Sequence, residues 1–149
     1  MPEIALPTVL PAPIGEVWER VQHSATLVEV SRGLLGFRPL DPAHLPERWA
    51  PGRYRVALRL FGVIPAGEQV IGIEFPETAE GVRSVRDNGG GTLFPVWDHT
   101  ILLEPAGPDA THYTDHVRYR SRLPDPLAAL FVRVFYRYRQ WRWRRLLKS

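Results

Sequence analysis

The feature that most constrains this chain is its last third, where two strand-like runs are followed by one long helix. The first run, residues 97–105, alternates Trp97, His99, Ile101 and Leu103 against Asp98, Thr100 and Leu102. Residues 106–110 (Ala-Gly-Pro-Asp-Ala) form a turn, and a second run at 114–120 alternates Asp115, Val117 and Tyr119 with His116 and Arg118. After Pro124-Asp125-Pro126 a helix of about 22 residues runs to Leu147, roughly 33 Å long at 1.5 Å per residue. A ten-residue strand also spans about 33 Å, so the helix can lie along a sheet.

Parity along the hairpin places side chains. His99 shares a face with Trp97, Ile101 and Leu103. Tyr113 and Asp115 share one with Val117 and Tyr119. The turn sets a register in which His99 faces Asp115 directly or diagonally, within side-chain reach. A carboxylate beside an imidazole fixes its tautomer and is expected to raise its pKa, which suits acid–base work. A buried His and Asp on neighbouring strands more often satisfy each other than catalyse. No nucleophile accompanies them. His112 and His116 fall on the opposite, outer face.

The rest of the chain supplies the sheet. Residues 3–10 read as a first strand, with Pro7 at an edge or bulge. Pro13 starts a helix at Ile14, whose apolar face is Val17, Trp18 and Val21. Ser24 is expected to cap a second short helix through Val30 that Gly33 ends. Residues 39–52 hold four prolines and read as a loop. Tyr54, Val56, Leu58 and Leu60 line one face of a strand. Gln69, Ile71, Ile73 and Phe75 line the next, and a short strand at 82–87 is broken by Asn88-Gly89-Gly90-Gly91. Short links between consecutive strands indicate an antiparallel α+β sheet rather than βαβ units. On the long helix, Leu127, Leu130, Phe131, Val134, Tyr138 and Trp141 form a stripe at helical spacing, expected to face the sheet. Val132, Tyr136 and Trp143 lie opposite and are expected at an outer patch, a candidate homodimer contact.

Composition closes several routes. The chain has no cysteine, so disulfides and zinc–thiolate sites are excluded. The spacing of its histidines and carboxylates has no tight metal-ligand cluster, and no metal or cofactor is expected. No stretch of about 20 apolar residues is present for a membrane span, and no secretory signal is visible at the N-terminus. These features fit a cytoplasmic protein. The net charge of +3 conceals an asymmetry: residues 133–148 carry seven cations, leaving −4 elsewhere. These arginines are not segregated to one side as a nucleic-acid stripe would be, so nucleic acid is not an expected partner. Gly89-Gly90-Gly91 lacks the following Lys-Ser/Thr of a phosphate loop and reads as a mobile turn at a cavity mouth.

With these residues in place, the chain resembles the START-like (SRPBCC) superfamily, which includes polyketide cyclases/dehydrases, lipid-transfer domains and birch-pollen-allergen-type proteins. The resemblance is carried by Leu10-Pro11-Ala12-Pro13-Ile14-Gly15-Glu16-Val17-Trp18 at the first helix and by Tyr54-Arg55-Val56 through Phe61-Gly62. It continues in Gly91-Thr92-Leu93-Phe94 before Trp97-Asp98-His99, and in Leu103-Glu104-Pro105 with Thr114-Asp115-His116-Val117-Arg118-Tyr119. It implies a helix-grip fold: a single domain over 1–149 in which a curved antiparallel sheet of six or seven strands wraps the C-terminal helix. Two short helices close one end, and an apolar cavity lies between sheet and helix. The glycine run departs from the pattern, and no catalytic set carries over. The expected partner is a hydrophobic or amphipathic small molecule. Its wall is expected from Tyr54, Leu58, Ile71, Ile73, Trp97, Ile101, Tyr113, Val117, Tyr119, Phe131, Val134, Tyr138 and Trp141, with His99 and Asp115 as polar fixtures. The alternative is a cyclase- or dehydratase-like enzyme using His99–Asp115 as an acid–base pair.

Overall fold

The computed structural model describes residues 1–148. Seven strands form one antiparallel sheet: β1 (Glu3–Leu10), β2 (Leu35–Asp41), β3 (Gly52–Leu60), β4 (Ile64–Glu74), β5 (Arg83–Gly91), β6 (Val96–Pro105) and β7 (Thr111–Arg120). Their spatial order is β1-β7-β6-β5-β4-β3-β2, so every neighbour from β2 to β7 is also a chain neighbour. The first strand alone crosses to the far edge. The two short helices that make this crossing, α1 (Ile14–Val21) and α2 (Ser24–Ser31), close one end of the sheet. The long helix α3 (Asp125–Lys148) lies in the concave face. This is a START-like helix-grip fold.

Three local expectations are corrected. β2 (Leu35–Asp41) begins in residues to which the pattern assigned no element and runs into the start of the segment read as a proline-rich loop. Pro39 sits beside a register shift against β3 near the sheet edge, where a missing N–H is tolerated. Ser24 is the first residue of α2 rather than its cap, and its hydroxyl donates to the Pro46 carbonyl at 2.6 Å, tying the helix to the following loop. Gly89, Gly90 and Gly91 are not a break but the end of β5. A Cβ at Gly89 would come within 2.0 Å of the Val70 carbonyl oxygen, and one at Gly90 within 2.2 Å of that of Pro95. Glycine is needed here for close backbone approach where the sheet curls, not for mobility.

The largest correction concerns α3. Its buried face is Ala128, Val132, Phe135, Tyr136, Arg139, Gln140 and Trp143. Val134 and Trp141, expected inside, are 51% and 45% exposed, and Leu127 and Leu130 are exposed too. The intended outer patch of Val132, Tyr136 and Trp143 is core. Both stripes have helical spacing. The true one carries an arginine and a glutamine in its middle, which makes it look like the wet side.

Candidate functional site

Between α3 and strands β2–β6 the packing leaves a cavity of about 180 Å³. Its sheet wall includes Phe37, Leu58, Leu60, Gln69, Ile71, Ile73, Val85, Asp87, Trp97, His99 and Ile101. Its helix wall is Phe131, Phe135, Tyr136, Arg139 and Trp143. Val21, Thr26, Leu27 and Val30 of α1 and α2 form one boundary, and Leu93, Phe94 and Leu123 contribute from the loops beside β5 and β7. For scale, an engineered apolar cavity of about 150 Å³ admits benzene.

The hairpin register pairs His99 with Val117 and Ile101 with Asp115, so His99 meets Asp115 on the diagonal. Their side chains bond at 2.7 Å, His99 Nε2 to Asp115 Oδ1, with both residues buried. The Tyr113 hydroxyl donates to the same oxygen at 3.2 Å, and Gln140 Nε2 donates to Oδ2 at 3.0 Å. Gln140 also donates to the Leu6 carbonyl at 2.7 Å, locking α3 to β1. Asp115 therefore sits behind the cavity with three donors on its two oxygens. The bond to a carboxylate assigns the imidazole proton to Nε2. Nδ1 is then an acceptor with no partner among the described residues, on a side chain that lines the cavity.

The expected rise in the pKa of His99 is not found. Burial lowers it, outweighing the hydrogen bond and charge of Asp115, and Arg139 lowers it further. Desolvation of a cation inside an apolar wall exceeds what one carboxylate returns. His99 is thus a neutral acceptor. His112 and His116 do face outward, and His116 pairs with Glu3 at 2.7 Å.

Two charged residues of the cavity were not foreseen. Arg139 is 5% exposed, forms no ion pair or hydrogen bond with any described residue, and its Nε is fully buried without a partner. Its guanidinium carbon lies 5.2 Å from the Tyr136 ring centre and 5.6 Å from that of Phe135. Burial opposes its charge, yet Tyr113, Tyr136, Asp115 and Asp87 together raise its pKa, so it stays cationic. Asp87 pairs with His99 across β5–β6 and accepts the Gly72 N–H at 2.8 Å. It keeps some accessible surface, but it stands on the cavity wall among protein atoms, and desolvation pushes its carboxyl up to about 7. The signals for both were in the sequence. Asp87 shares the parity of Val85, and Arg139, with Gln140, interrupts an apolar 3–4 stripe.

Of the expected wall, Leu58, Ile71, Ile73, Trp97, His99, Ile101 and Phe131 line the cavity. Tyr54, Tyr113, Asp115, Val117 and Tyr119 are buried on the inner face but belong to packed core around it. Val134, Tyr138 and Trp141 lie off the cavity. The Tyr138 hydroxyl instead donates to the Arg32 carbonyl after α2, and Arg145 stacks on Trp141. No group of three or more His, Cys, Asp or Glu suited to a metal ion occurs among the described residues. No helix is long and apolar enough to cross a membrane.

Residues 8–148 match the family described as Domain of unknown function (DUF8410). No curated protein matches the sequence. Among solved structures, a START superfamily protein from Mycobacterium smegmatis is similar over 98% of this chain and 97% of its own, with TM-score 0.66 and 14% identity. The Zhui aromatase/cyclase from a Streptomyces species matches 83% of this chain and 70% of its own, with TM-score 0.57 and 11% identity. DynU16, from the dynemicin biosynthetic locus, is similar over 99% of this chain and 47% of its own, with TM-score 0.62 and 19% identity. At such identities the likeness is one of fold.

Proposed function

The chain belongs to the DUF8410 family on a START-like fold, and from that premise we propose that it binds a hydrophobic or amphipathic small molecule between sheet and α3. One observation carries the reading: a cavity of about 180 Å³ inside the core, walled mainly by aliphatic and aromatic side chains with a few polar groups among them. A chain that only needed to fold would gain by filling that space, since each cubic ångström left empty costs about 24 cal/mol. A mostly apolar pocket with few oriented polar groups is the usual form of a small-molecule site. Native mass spectrometry of the purified protein should reveal a guest lost on denaturation, and stripped protein should take up butylbenzene or 1-octanol with a rise in melting temperature. Stripped protein that binds no neutral apolar probe would refute the reading.

A second reading, catalysis resembling that of a cyclase or dehydratase, is supported by the free Nδ1 of His99 with Asp115 behind it. A neutral imidazole held in this tautomer can accept a proton from a bound guest. If it does, His99→Gln removes turnover while guest affinity stays within about threefold. Turnover that survives the substitution excludes the pair as the base.

A further inference from the structure

The helix wall of the cavity carries more hydrogen-bond donors than the protein supplies acceptors. Four buried side-chain polar atoms among the described residues have no partner, and three of them are on one face of α3: the Tyr136 hydroxyl, Arg139 Nε and Trp143 Nε1. The Trp97 indole slightly favours the ionised form of Tyr136 but is not within hydrogen-bonding geometry. All three residues line the cavity. Orphaned polar atoms inside a folded protein call for an explanation, and a cation without an acceptor most of all.

Arg139 is not explained by its neighbours. The Phe135 and Tyr136 rings lie 5.6 and 5.2 Å from its guanidinium carbon and attract its charge, but no N–H of the guanidinium is hydrogen-bonded to a described residue. Asp115 is already occupied by His99, Tyr113 and Gln140. Asp87 gives one oxygen to Gly72, and no ion pair joins it to Arg139. A planar fork of donors in an apolar wall matches a carboxylate held by two parallel bonds. Asp115 and Asp87 stand nearby, so a second negative charge on the guest would be repelled. That favours a monoanion over a phosphate monoester.

We propose that the guest is an apolar monocarboxylate that enters with its acid group inward, its carboxylate held by the Arg139 guanidinium and its hydrocarbon body against the sheet wall. This rests on the cavity being a guest site. His99 Nδ1, an acceptor, accommodates a guest hydroxyl or acid proton but not the carboxylate itself.

The test is calorimetric titration of stripped protein with octanoate, 1-octanol and methyl octanoate at pH 7. Octanoate should bind at least about tenfold more tightly than either neutral analogue. In Arg139→Met that preference should vanish, octanoate binding no more tightly than 1-octanol or methyl octanoate. The guest-free variant should melt about 3–6 °C higher, because a buried unpaired cation has been replaced by a packed apolar chain. A purely structural arginine predicts the opposite shift. Arg139→Lys, which keeps the charge and loses the fork, should fall between the two proteins. If octanoate and the neutral analogues bind wild type equally, the carboxylate assignment is overturned and the apolar site stands. If none of the three binds, both fail.

Discussion

At the scale of single residues, the chemistry of the cavity is set by burial acting on a few ionisable groups. Asp87 is pushed up to about 7 first by desolvation; the Gly72 N–H, Arg139 and Arg53 pull it down, and Asp98 pushes it up. His99, paired with it across β5–β6, is pulled down by its own burial. An unfolded aspartate titrates near 3.9, so between about pH 4 and 7 the folded protein holds an extra proton on Asp87. Stability from this group is therefore complete below that range and lost as pH rises through 7. His99 acts in the opposite sense. Its folded pKa is depressed, so its contribution is present above about 6.5 and falls away on acidification. Asp87→Asn keeps the acceptor for Gly72 and removes only the titration. Urea unfolding at pH 4.5 and pH 8 should find the variant gaining on wild type with rising pH, by about 3 kcal/mol; the His99 linkage cancels in the comparison. A gap that does not change with pH would mean Asp87 is ionised throughout.

At the scale of elements, α3 decides what the cavity is. Its inner face alternates bulk and polarity: Ala128 and Val132 pack, Phe135, Tyr136 and Trp143 wall the space, Arg139 adds charge to that wall, and Gln140 bridges β1 to β7 through Leu6 and Asp115. Two substitutions two residues apart separate the faces. Val132→Asp buries a charge at a position with no accessible surface and should cost more than about 3 kcal/mol. Val134→Asp, half exposed, should stay within about 0.5 kcal/mol. Denaturation midpoints of the two variants check the assignment, and equal losses would reject it. β6 and β7 were legible as strands and in their parity because strict alternation leaves one solution. The α3 face was not, because two 3–4 stripes compete and hydrophobicity counting favours the one without Arg139 and Gln140. β5 was cut short for a related reason. A glycine run reads as punctuation unless one knows that the backbones of β4 and the β5–β6 turn press against it.

At the scale of the whole molecule, antiparallel order from β2 through β7 follows from short links, which permit little else. The return of β1 to the far edge, beside β7, is what α1 and α2 accomplish, and it places both helices across one end of the cavity. The outer helix patch expected to join two copies does not exist, because Val132, Tyr136 and Trp143 are inside. The basic end of α3 is partly absorbed by the protein itself. Arg142 binds Glu29 at 2.8 Å, Arg144 binds the Thr8 hydroxyl at 2.8 Å and Arg137 binds the Pro7 carbonyl at 3.0 Å. Fold class, strand parity and the meeting of His99 with Asp115 were all readable from the residues, because period-2 alternation and a five-residue turn are local constraints. Only the tertiary structure decided which face of α3 turns inward, and with it the placement of an unpaired arginine beside a shifted aspartate. That choice depends on what the sheet leaves unfilled, a quantity no local pattern contains.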